Sequence, residues 1–270
     1  MRLISRPSGL LWPAAVLCAT VALGAQSRPE PKAAPSPAEQ PAAAQKLPPA
    51  REILDRHVKA IGGRQAILSH SSTRAAGKVE LPAMGLTGEL EVFAAKPDRS
   101  LIRFVLPGVG EIQEGFNGKI GWSISALTGP TLLEGRQLEE RRFDSDFYSE
   151  VRAQERYTSM STVEQTAFDG RPCYKLRLVR RGGGEDFEFY DVQTGLRAGR
   201  IGTREMQMGA VTGTTIESEY RKFGNTLVAT RIRQTAMGVE TVMTLTVVEF
   251  DTLEESVFHP PPAIQALLKP

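Results

Sequence analysis

The side chains able to do chemistry in this 270-residue chain are few and scattered. Its 3 histidines, His57, His70 and His259, lie far apart, without the close ligand spacing of a metal site. His57 falls on the edge of an amphipathic helical pattern, and His259 precedes Pro260-Pro261-Pro262. No serine stands in a Gly-x-Ser-x-Gly elbow, so nothing marks an activated nucleophile. Gly182-Gly183-Gly184 lies between two strand patterns and does not lead into Gly-Lys-Ser/Thr, so it reads as a hairpin turn rather than a phosphate cradle. The pairs Glu139-Glu140, Glu185-Asp186 and Glu254-Glu255 are adjacent residues. Adjacent side chains point to opposite faces of a strand and diverge by about 100° on a helix, which suits solvated faces better than acid–base pairs. Cys173 has no neighbouring His and reads as a small strand residue. The expectation is a protein without catalytic residues, metal or cofactor.

The elements that must position anything functional begin after an unusual N-terminus. Arg2 and Arg6 precede an apolar run from Leu10 to Leu23, and Ala22-Leu23-Gly24-Ala25 supplies small residues for cleavage. Residues 1–25 therefore read as an export signal, with an uncleaved anchor disfavoured by Pro13 and by the shortness of the run. The formal charge of +2 comes from 33 basic against 31 acidic residues, and Arg2 and Arg6 account for the whole excess. A neutral body gives no electrostatic ground for binding nucleic acid. Removing the signal also removes Cys18, so Cys173 has no partner for an intramolecular disulfide. Residues 26–49 carry Pro29, Pro31, Pro35, Pro37, Pro41, Pro48 and Pro49 and read as an extended linker.

A single domain over 50–270 follows. Ile53, Leu54, His57, Val58 and Ile61 recur at helical spacing up to Gly62-Gly63, and a short second helix covers residues 64–69. Period-two patterns then run through 72–106, and Asn117-Gly118 joins two further strands in a hairpin. Residues 127–135 read as a loop around Gly129-Pro130, and 136–154 as a helical insertion presenting Leu138, Phe143, Phe147 and Val151. Strands resume with the Asp169-Gly170 hairpin, continue through 185–191, and end with long patterns over 212–223, 226–235 and 239–251. In the last, alternation sets Val242, Thr244, Thr246, Val248 and Phe250 on one face and Met243, Leu245 and Val247 on the other. Both faces of the sheet thus carry apolar content, which requires helices as cover or an enclosed ligand. No βαβ alternation points to a nucleotide-binding fold.

Gly115-Phe116-Asn117-Gly118-Lys119-Ile120-Gly121-Trp122, the opening Ala60-Ile61-Gly62-Gly63, Tyr190-Asp191 with Thr194-Gly195-Leu196, and the closing Glu249-Phe250-Asp251 with Val257-Phe258-His259-Pro260 resemble exported bacterial proteins of the periplasmic outer-membrane lipoprotein carrier (Lol-type) superfamily. The resemblance implies a mainly β (α+β) fold: an unclosed antiparallel barrel of about ten strands, covered by an N-terminal helix and a mid-chain helical lid. It further implies a non-enzymatic periplasmic protein holding an acyl chain or other hydrophobic ligand, either a lipid or an acylated protein. Strand parity nominates Leu90, Val92, Phe104, Leu106, Phe116 and Trp122 as the lining of one barrel half, and Phe187, Phe189 and Ile216 as that of the other, with Phe143 and Phe147 from the lid. The alternative is a structural or interaction module of the cell envelope, with a filled core and a protein partner.

Overall fold

A computed structural model describes residues 46–126, 128–206 and 209–268, so the expected signal and most of the linker lie outside the described residues. Helix α1 (Ala50–Ala60) and α2 (Arg64–Ser69) precede six strands: β1 (Ser72–Leu81), β2 (Leu86–Ala95), β3 (Arg99–Leu106), β4 (Gly110–Phe116), β5 (Gly121–Ser125) and β6 (Gly129–Leu133). Helices α3 (Gly135–Asp144) and α4 (Ala153–Arg156) lead to seven more: β7 (Tyr157–Phe168), β8 (Arg171–Arg180), β9 (Glu185–Asp191), β10 (Arg197–Met206), β11 (Gly209–Phe223), β12 (Thr226–Ala236) and β13 (Val239–Phe250). Helix α5 (Pro262–Leu267) closes the described chain.

All strands join one antiparallel sheet in the order β6-β5-β4-β3-β2-β1-β13-β12-β11-β10-β9-β8-β7. Two meanders, β1–β6 and β7–β13, therefore meet at a single seam, β1 against β13, and the edges β6 and β7 do not pair, so the barrel is open. The sheet has 13 strands rather than about ten. Gly129–Leu133, expected as a loop, is an edge strand, and β10 had no counterpart in the apolar alternation. The insertion at 136–154 divides into α3, a turn and the four-residue α4.

The concave face is the one on which α1 lies, with Ala50 and Ile53 packed on Leu176, Leu178 and Tyr190. Pairing carries this face across the seam: Leu245 stands opposite Gly77, Gly77 opposite Leu90, and Leu90 opposite Phe104. Val79, Leu81, Leu90, Phe104, Leu106 and Ile112 form a packed core there. On the convex face Phe93, Leu101 and Trp122 pack beneath Phe258 and Ile264. The Trp122 indole is fully buried and its Nε1–H donates to Gln113 Oε1 at 3.1 Å.

Two glycines have a steric role. A Cβ on Gly77 would stand 1.9 Å from the Thr244 carbonyl oxygen, so the seam closes only around glycine. Gly62, at φ 126°, would bring a Cβ within 2.3 Å of the Asn225 carbonyl oxygen. This close approach docks the α1–α2 turn on β12, where the Leu227 N–H donates to the Ile61 carbonyl at 2.9 Å. Gly62→Ala is expected to cost roughly 1–3 kcal/mol by backbone strain and overpacking, read from the urea unfolding midpoint.

Candidate functional site

Between the α1–α2 pair and the concave face of β11–β13 lies a cavity of about 360 Å³. Its size falls in the range of roughly 300–1,000 Å³ usual for small-molecule sites. Ile61, Ile67, Phe147, Val228, Ile232 and Leu245 give it apolar walls, and His57, Glu150, Arg197, Glu217 and Tyr220 form its polar end.

The polar end is a linked set. Arg197 donates from Nη1 to Glu150 Oε1 at 3.0 Å and from Nε to Glu217 Oε1 at 3.0 Å. The Tyr220 hydroxyl lies 2.9 Å from both Glu217 Oε2 and the Arg197 carbonyl. His57 sets Nε2 3.4 Å from Glu150 Oε2 and Nδ1 3.2 Å from the Gly195 carbonyl oxygen; each is a hydrogen bond only when that nitrogen carries the proton. Nearer the rim, His70 stacks on Phe250 with ring centroids 3.9 Å apart and meets Asp251 Oδ2 at 2.8 Å.

Irregularities in the strands bring these groups together. A register shift between Arg197 and Gly199 sets Arg197 opposite Tyr190 and Gly199 opposite Phe189. Glu219 takes a φ of 52°, and beyond it the Tyr220 hydroxyl turns back to Glu217. In β13 the shift facing Ala76/Gly77 skips Thr246, so Val248 joins Met243 and Leu245 on the concave core instead of sharing a face with Val242. Such bulges re-aim side chains that strict alternation would send to the other face.

Burial and charge set the protonation of the cluster. Burial by itself would raise the Glu150 carboxyl, but the Arg197 charge and the contacts from His57 and Arg197 outweigh it and hold the group below its usual range. Burial, reinforced by the Glu217 charge, pushes the Tyr220 phenol well above its ordinary value. Because the folded-state value of Glu150 is depressed, its contribution to stability is complete above the ordinary value of 4.5 and is lost as pH falls below it. Urea unfolding followed from about pH 6 down to about pH 3 should show stability falling, and Glu150→Gln should flatten that slope.

The space beneath α3 is filled differently. Arg204 donates to Asp186 Oδ1 at 2.7 Å and meets Asp144 Oδ1 at 3.2 Å, Arg180 lies 3.5 Å from Asp186 Oδ2, and Arg141 donates to Glu114. Helix α3 thus ties β4 to β10 through ion pairs rather than roofing an apolar space. The Arg204 guanidinium is desolvated, yet Asp144 and Asp186 hold its pKa above the ordinary value.

Of the residues nominated by parity, Phe147 lines the cavity. Leu90, Phe104 and Leu106 are on the concave face but within its packed core, and Val92 packs against that core. Phe116 is fully buried, its ring 5.7 Å from the Arg142 guanidinium carbon. Phe143 lies under the Arg156 guanidinium at 3.8 Å. Trp122, Phe187, Phe189 and Ile216 fall on the convex face: Trp122 stands opposite Gly115, and Phe189 opposite Gly199, itself opposite Ile216. Phe187 and Phe189 pack there with Cys173, Ala198 and Phe168. The Cys173 thiol is pushed up to about 11 by burial, far from a reactive thiolate. Among the described residues, no group of three or more His, Cys, Asp or Glu is placed to hold a metal.

The fold, an open antiparallel barrel half-covered by helices, resembles that of solved proteins of the Lol-type superfamily. It is similar to a solved DUF1329 family protein of Desulfovibrio piger, with a TM-score of 0.55 and 16% identity over 79% of this chain and 98% of that one. It is similar also to a LolA superfamily protein of Nitrosomonas europaea, with a TM-score of 0.51 and 13% identity over 79% of this chain and 99% of that one. No family model and no curated protein matches the sequence. Among the described residues, no helix is long and apolar enough to cross a membrane.

Proposed function

We propose that this chain is an exported, non-enzymatic carrier that holds an acyl chain or a comparable hydrophobic ligand in the periplasm. In this reading residues 1–25 direct export, 26–49 space the folded body from the membrane, and 50–270 form the carrier domain. The observation that carries it is the cavity between α1–α2 and β11–β13, whose walls are Ile61, Ile67, Phe147, Val228, Ile232 and Leu245. Each methylene moved from water into such walls contributes about 0.8 kcal/mol, so an alkyl chain needs no catalytic group to be held. The ionisable side chains at the polar end of the cavity, His57, Glu150, Arg197 and Glu217, are engaged with one another. The LolA superfamily fold supports the same reading.

The test is native mass spectrometry of the full chain recovered from the periplasm of a Gram-negative host, with N-terminal sequencing of the same sample. The expected result is a mature N-terminus near residue 25 and an adduct with the mass of a single-tailed or acylated lipid. A ligand-free protein that takes up no added lipid would support the filled envelope module with a protein partner instead.

A further inference from the structure

The two ends of the open barrel use different turn chemistry. At the end nearer the cavity the hairpin tips are polar: Lys96-Pro97-Asp98, Asn117-Gly118-Lys119, Asp169-Gly170 and Gly224-Asn225. At the opposite end three hairpins that adjoin one another in the sheet, β3–β4, β1–β2 and β12–β13, carry Pro107-Gly108-Val109, Pro82-Ala83-Met84-Gly85 and Met237-Gly238. Met84, Val109 and Met237 are 49%, 36% and 46% exposed. No charged residue stands between Glu80 and Glu89, between Arg103 and Glu111, or between Arg233 and Glu240. Pairing of Glu80 with Val242 and of Glu89 with Val105 holds the three tips within a few residues of one level. With strands about 4.8 Å apart, the tips span roughly 20 Å.

The turns themselves do not ask for these side chains. Met237 and Gly238 take φ values of 52° and 79°, close to the 49° and 74° of Asp169 and Gly170 at the other end. Two positive φ values favour Asn or Asp ahead of Gly, because a short polar side chain tolerates the left-handed region better than a bulky one. Methionine at this position is unfavourable for the turn, and its side chain is left nearly half in solvent.

We propose that this end of the barrel is a lipid-contacting rim, with Met84, Val109 and Met237 seated in the interfacial layer of a bilayer without net charge. Three partly exposed side chains on separate turns fall short of the roughly 800 Å² per partner that a stable protein interface buries. A bilayer accepts each tip independently, in proportion to the apolar area it covers. The first charges behind the tips are Glu80, Glu89, Glu111 and Glu240 against Arg103 and Arg233, a balance that offers anionic lipid no attraction. The cavity lies toward the other end, beside Thr73, Thr226 and Phe250, so the contact goes beyond the carrier reading and does not depend on it.

The experiment uses the chain recovered from the periplasm, carrying the environment-sensitive dye NBD on a cysteine introduced by Met84→Cys, by Met237→Cys or, at the polar end, by Lys119→Cys. Cys173 is fully buried and does not compete for the label. Phosphatidylcholine vesicles are expected to shift the emission of the first two labels to the blue and to leave the third unchanged. In flotation with the same vesicles, Met84→Ser, Val109→Ser and Met237→Ser combined should weaken partitioning about tenfold or more, with the urea midpoint kept. Adding phosphatidylglycerol to the vesicles should not strengthen it. A label at Lys119→Cys that shifts as much as the others, a triple variant that floats like the parent, or binding that requires phosphatidylglycerol would overturn the assignment. Labels at Met84→Cys and Met237→Cys that ignore every vesicle would overturn it too, in favour of a protein partner at this rim.

Discussion

Val228→Trp is expected to lower the affinity for N-phenyl-1-naphthylamine by tenfold or more while leaving unfolding free energy within about 1 kcal/mol of the parent. Val228 is half-buried, lines the cavity and packs beside Ile232 at the edge of the concave core. An indole at this position extends into a void of about 360 Å³ rather than into close-packed neighbours, so the usual penalty for overpacking is largely avoided. The apolar space available to a ligand is then taken up by the protein itself. Fluorescence titration and urea denaturation on the same preparation measure the two quantities. Affinity unchanged with the fold intact would mean that hydrophobic probes bind elsewhere, and the cavity would lose its assigned role.

Arg197→Leu should destabilise the fold by about 3–5 kcal/mol, the range observed when one partner of a buried ion pair is removed. The side chains of Arg197 and Glu217 are 18% and 11% exposed, so the pair is poorly screened by solvent. Loss of the guanidinium leaves Glu150 and Glu217 desolvated without their cation. The desolvation cost of those carboxylates, rather than the value of the pair itself, dominates the effect. Combining Arg197→Leu with Glu150→Gln and Glu217→Gln should recover a large part of the loss, because neutral amides are far cheaper to bury. Chemical denaturation of the single and triple variants decides the matter. A loss below about 1 kcal/mol would place the cluster in the class of solvent-screened surface pairs.

Both predictions depend on residues that the linear pattern rated very differently. Val228 belongs to a run of alternating character whose strand, β12, is legible in the sequence. Arg197 belongs to β10, which was not. The concave positions of β10 include Arg197, Arg200, Gly202 and Arg204, and Gly199 interrupts its other face. A strand whose inward side chains are arginines shows no apolar alternation, although tertiary pairing with Glu150, Glu217, Asp144 and Asp186 makes those positions interior.

The amino-acid sequence by itself determined the large features: a mainly antiparallel β body, the amphipathic α1 ending at Gly62-Gly63, the Asn117-Gly118 and Asp169-Gly170 hairpins, and the scatter of histidines. These follow from local rules, helical and strand periodicity and turn chemistry, which act within a few residues of each other. Only the tertiary structure decided which face of each strand is concave. Face assignment is cumulative along the sheet, and a one-residue slip reverses every side chain beyond it. The shifts at Arg197/Gly199 and opposite Ala76/Gly77 leave no mark in composition. The first sets Arg197 against Tyr190 and Phe189 against Gly199, and the second brings Val248 to the concave core. Trp122 and Phe189, bulky and apolar, looked like lining and are convex core; His57, Glu150, Arg197 and Glu217, distant in sequence and polar, became the end wall of the cavity because helix α1, the turn after α3 and two strands converge there.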